Sequence, residues 1–164
     1  MDAFTPIVIL HAIAATYVLV LGPLQILRRR RDLAHRIVGV TWVAAMVVVC
    51  VSSFWIAPDG FSWLHALAIW TLLCMVFAIA GIRARNVPIH RGFMIGSYLG
   101  TLTAFAFAAL IPSRLIPRLL VSQPLVAVGT LLGVAAIALI FHFSVVRVAG
   151  PARTRSRAAI SPTA

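Results

Sequence analysis

Of 164 residues, 62% are hydrophobic and only 10% charged, with a net charge of +11. Soluble domains carry about 25% charged residues, so this composition excludes an ordinary water-soluble fold and makes lipid the solvent for most of the chain. The positive charge does not indicate nucleic acid, because the arginines sit in short connections between apolar runs and no recognition module accompanies them.

Five apolar segments are long enough to cross a bilayer core of about 30 Å: residues about 5–27, 37–57, 62–82, 92–111 and 123–147. No period-2 alternation suggests a barrel, so each span must be a helix that pairs its own backbone groups. Gly22-Pro23 interrupts the first span near one end and predicts a kink. The N-terminus lacks a positive leader region, so the first span is expected to remain as a membrane helix.

All basic residues are arginine, and their placement predicts orientation. Twelve lie in the connections 28–36 and 83–91 and in the tail from Arg147, while Arg114 and Arg118 alone lie on the other side. The positive-inside rule then puts the N-terminus outside and the C-terminus inside. Phe61, Trp55 and Trp63, beside Asp59-Gly60, fall where an outer aromatic belt would lie. Residues 148–164 have no apolar pattern and are expected to form a disordered basic cytoplasmic tail, at most weakly drawn to anionic lipid.

The chain repeats itself. Leu64-His65-Ala66-Leu67-Ala68 follows Leu10-His11-Ala12-Ile13-Ala14 at an offset of 54, and Ile89-His90-Arg91 follows Ala34-His35-Arg36 at 55. This predicts an all-α integral membrane protein in one polytopic domain, residues 1–147. A four-helix bundle arises from a tandem two-helix duplication, about 5–57 and 62–111, with a peripheral fifth helix at 123–147.

Each repeat contains an even number of spans, so equivalent residues lie at equal depth. His11 and His65 then form one pair near the outer face, and His35 and His90 another at the inner ends of the second and fourth helices. Two neutral imidazoles approaching from opposite sides are what axial ligation of haem iron requires. Arg36, Arg91 and Arg114 are placed to receive haem propionates, and Phe54, Phe77, Phe93, Tyr98, Phe105 and Phe107 are candidate ring contacts. His142 lies deeper than the inner pair, as an alternative ligand, a proton-path residue or a structural hydrogen-bonding group. The alternative for all five histidines is interhelical hydrogen bonding or an interfacial position beside a topology-setting arginine.

The expected function is therefore a b-type, two-haem cytochrome that exchanges electrons between a quinone or cytoplasmic donor and an acceptor near the outer face. A haem-free accessory subunit is the second reading. Metal transport ranks last, since no span contains a carboxylate. Cys50 and Cys74 lie at different depths and are not expected to pair. Gly96/Gly100 and Gly129/Gly133 are small-residue pairs that permit close helix approach and a homo-oligomer.

His35-Arg36-Ile37-Val38-Gly39, Leu64-His65, and His90-Arg91-Gly92-Phe93-Met94 followed by Tyr98 and Pro112-Ser113-Arg114 resemble the bacterial membrane proteins called domain of unknown function 2306, over about residues 8–118. The resemblance leaves the fifth helix and tail outside it, and implies a small multi-pass inner-membrane protein without an established activity. The histidine layout is also similar to that of the two-haem cytochrome b561 superfamily.

Overall fold

The computed structural model describes residues 5–56, 60–112 and 114–149. Its elements are α1 (Pro6–Leu27), α2 (Leu33–Ser53), α3 (Trp63–Arg83), α4 (Val87–Leu110), α5 (Leu115–Ser122) and α6 (Pro124–Ala149). All but α5 are long and apolar enough to cross a membrane. Among the described residues there is no strand. Of the expected tail, Val148 and Ala149 continue α6; the rest lies outside the described residues, as does Asp59.

Local chemistry sets the boundaries. Asp32 caps α2 by accepting the His35 backbone N–H at 3.0 Å, and Asn86 caps α4 by accepting that of Ile89 at 3.2 Å. Each cap starts its helix ahead of the span expected from hydropathy, because a polar first turn is invisible to an apolar window. His35 and His90 consequently stand within the first turn of their helices. The short α5 was not expected: its eight residues contain Arg118 and Pro117, and proline is tolerated in a first helical turn.

α1 pairs with α2 and α3 with α4, giving two hairpins. Glycine permits the close approach of the second pair. A Cβ on Gly81 would meet the His90 backbone nitrogen at 3.0 Å, and one on Gly100 would meet Thr71 Oγ1 at 2.9 Å. Gly96, Gly129 and Gly133 face open space, so only Gly100 of the two small-residue pairs is taken up by contacts within the chain.

The hairpin α3–α4 turns through Arg85, whose φ of 58° is left-handed. Asn86 N donates to Gly81 O at 2.8 Å, closing the end of α3. An L side chain in that conformation costs about 1–2 kcal/mol, while its cation gains about 0.3–1 kcal/mol from the helix C-terminus. Strain is the larger effect, so Arg85→Gly is expected to stabilise the bundle by roughly 0.5–1 kcal/mol, read as a higher unfolding midpoint in detergent.

The core lies where the hairpins meet: Val18 and Leu21 from α1, Val38, Trp42 and Met46 from α2, and Met75 from α3. Pro23 has no N–H, so the Leu19 carbonyl loses its partner within α1. The Tyr98 hydroxyl on α4 donates to that carbonyl at 3.4 Å, and Gly22 makes room, since a Cβ there would overlap the Tyr98 ring. This junction docks α4 on α1. The last helix, α6, packs on α1 and α2 and buries only Ala138 and His142, which makes it peripheral. Cys50 and Cys74 are both free thiols.

Candidate functional site

The histidines occupy the two ends of the bundle. At the end away from the arginine-rich connections, His11 Nδ1 lies 2.8 Å from Ser52 Oγ. The Ser52 hydroxyl donates to Val48 O at 2.6 Å, so the His11 Nδ1–H is the donor to Ser52 and its Nε2 keeps a lone pair. His65 is more constrained. Its Nδ1 accepts the Ser62 backbone N–H at 2.8 Å, which puts the proton on Nε2, where it donates to Ser53 O at 3.2 Å. Phe54 and Phe61 flank the ring, each with its centroid 5.3 Å away.

Two histidines from different helices thus grip the last turn of α2. In this tautomer His65 offers no lone pair to a metal. Arg114 stands at the N-cap position of α5 without a side-chain capping bond, and no hydrogen bond among the described residues joins it to either histidine.

The arginine-rich end is different. One Arg28 nitrogen donates to both Asp32 oxygens, at 2.9 and 2.7 Å, and Gln25 Nε2 donates to His35 O at 3.0 Å. His90 Nδ1–H donates to Ala78 O at 3.0 Å. That bond fixes the tautomer, leaving Nε2 as an unprotonated lone pair, the state a metal-binding imidazole needs. His35, in the first turn of α2, is joined to Arg28 through Asp32, which accepts from the His35 backbone and from the guanidinium. His142 is buried on α6, which packs on α1 and α2.

Four atoms here are buried without a hydrogen-bond partner: Gln25 Oε1, Arg28 Nε, His35 Nδ1 and His142 Nδ1. Buried polar atoms in native proteins are nearly always paired. Their concentration makes this end the candidate site.

Of the residues expected from sequence, the structure sets His35 and His90 in the first turns of α2 and α4 at the same end of the bundle, with no direct bond between them, and sets His11 and His65 on one turn of α2. Arg36 and Arg91 are exposed, each one residue beyond a candidate ligand. Phe77, Phe105 and Phe107 are also exposed and do not line the interior, and Phe54, exposed on one side, packs on His65. Sequence reasoning missed Gln25, Arg28 and Asp32. Gln25 interrupts an apolar run, and Asp32 is the lone acid between the first two spans, four residues after Arg28; both signals were available. Among the described residues, no three His, Cys, Asp or Glu side chains gather as a bare metal ion would require. Haem takes two axial ligands.

The His35 N–H, followed by the Arg28 guanidinium, holds the Asp32 carboxyl below its ordinary value. A depressed folded value means that the stabilisation is present at neutral pH and lost as pH falls below about 4 through that value. Wild-type protein should therefore lose stability in that acid window more steeply than Asp32→Asn, by unfolding midpoint against pH. With three acidic residues in the whole chain, few other carboxyl groups obscure the difference.

No curated protein matches this chain, and no solved structure does. A family model matches well past the Arg114 region where the sequence resemblance was expected to stop, taking in His142 and most of α6. The fifth span is therefore part of the shared unit, a correction explained by its uniform apolar composition, which offers no motif to the eye. The chain belongs to the family described as predicted membrane protein (DUF2306), whose model covers residues 8–143.

Proposed function

We propose that this protein is a membrane electron carrier in which His35 and His90 would hold a haem b at the arginine-rich end. The observation that carries this reading is the His90 Nδ1–H bond to Ala78 O, which leaves Nε2 free at the end of the bundle where His35 also lies. His35 is held in place by the Asp32 cap and by Gln25 on its carbonyl. The exposed Arg36 and Arg91 are available to propionates. Haem supplies one-electron chemistry; the chain supplies ligation, burial and charge. The positive-inside rule supports a cytoplasmic position for this end in a bacterial inner membrane, where it would face a quinone or cytoplasmic donor.

The outer pair does not enter this reading. A haem between His11 and His65 would require His65 to release both Ser62 and Ser53.

The test is a reduced-minus-oxidised visible spectrum of detergent-purified protein, with haem counted per chain. About one haem per chain is expected, lost in His90→Ala and kept in His65→Ala. A colourless protein from haem-sufficient cells would sink the proposal. The second reading, a haem-free accessory subunit, is favoured by the His65 clasp, which consumes both ring nitrogens in helix packing; it predicts that colourless result.

A further inference from the structure

Axial ligation leaves Gln25 Oε1, Arg28 Nε, His35 Nδ1 and His142 Nδ1 unexplained, all buried and unpartnered. They come from α1 and its C-cap residue Arg28, from α2 and from α6. Arg28 and the His35 backbone both donate to Asp32, Gln25 is tied to the His35 carbonyl, and α6, which carries His142, packs on both α1 and α2. His142 is only 6% exposed, and α6 spends one of its two buried positions on it. A peripheral helix that carries an unpaired imidazole inward does so against a polar partner.

The donor set constrains that partner. Arg28 Nε–H can only donate and Gln25 Oε1 can only accept, whereas each imidazole nitrogen takes either role. Asp32 already neutralises Arg28, so the charge does not call for an anion. A phosphate or carboxylate would also face Gln25 Oε1 with a second acceptor. The ligand is uncharged, both donates and accepts, and is reached from lipid along the lightly packed α6.

We propose that this cluster binds the hydroxyl group of a lipid-soluble quinol. The quinol O–H donates to Gln25 Oε1 while its oxygen accepts from Arg28 Nε–H, with His35 and His142 completing the shell. A quinone has acceptors alone and leaves Gln25 Oε1 unpaired, so the site favours the reduced form. One buried acceptor left unpaired corresponds to about a tenfold or greater loss of affinity. The inference deepens the electron-transfer reading by naming the donor, yet it stands on atoms other than the proposed axial nitrogens.

The test is calorimetric titration of the full chain, purified in detergent and kept under argon, with decylbenzoquinol and with the corresponding quinone. The quinol is expected to bind at least about tenfold tighter. Gln25→Leu should abolish that preference by weakening the quinol alone, and His142→Phe should weaken both forms, with helicity and monodispersity confirming the fold of each variant. Absence of binding by either form would mean that water fills the cluster, and would overturn the proposal. So would equal binding of the two forms, unchanged in Gln25→Leu. A colourless protein with the quinol preference ends the haem reading and keeps this one; a haem-bearing protein that binds neither form does the reverse.

Discussion

Trp42→Ala is expected to destabilise the bundle by about 3 kcal/mol, the largest single-residue effect in the chain. Trp42 is 3% exposed and sits among Val18, Leu21, Val38 and Met46. In water, part of such a cost is the transfer of apolar surface back to solvent. In lipid that contribution nearly vanishes, because acyl chains are as apolar as leucine. What remains is the cavity, the lost dispersion contacts and one hydrogen bond, since Trp42 Nε1–H donates to Val18 O at 3.0 Å. Trp42→Phe, which keeps most of the volume, should lose only about 1 kcal/mol. Reversible unfolding in mixed micelles measures both. A Trp42→Ala variant within about 0.5 kcal/mol of wild type would show that the hairpins are not held by this core.

Gly22→Val should follow, at about 2–3 kcal/mol. The position tolerates no side chain because the Tyr98 ring occupies that space. Relief requires the ring to withdraw, and withdrawal takes the hydroxyl off the Leu19 carbonyl, so packing and hydrogen bonding fail together. A double-mutant cycle isolates the coupling. In a Tyr98→Ala background the valine should cost at least about 1 kcal/mol less than in wild type. Equal costs in both backgrounds would place the obstruction elsewhere.

The architecture was legible because lipid imposes it. Long apolar runs must be helices, and the repeated histidines sit at equal depth whatever the packing. The same offset of 55 that relates His35 to His90 in the sequence accounts for their lying at one end. The companions of that pair were not legible. Arg28 and Asp32 look like ordinary interfacial charges, and only packing reveals that Arg28 turns inward. Nor can a repeat reveal where its copies diverge: His11 leans on a serine of the next helix, whereas His65 closes the start of its own. Ser62, which makes this possible, has Val8 as its counterpart at the offset of 54. The aromatic side chains mislead for a simpler reason, since in a membrane helix a phenylalanine facing lipid has nothing to lose by doing so.

The repair of the Leu19 carbonyl also bears on biosynthesis. Its partner, Tyr98, is 79 residues downstream, so at a synthesis rate of about 5–20 residues per second the first helix waits on the order of 4–16 seconds for the ribosome to deliver it. During that interval a membrane-embedded carbonyl must be served by water or by the insertion machinery. Trp42, only 24 residues beyond Val18, reaches the same helix first. The first hairpin can therefore close on its own, while its proline turn stays open until the fourth helix enters, which makes arrival of that helix the step that completes the backbone pairing of the first.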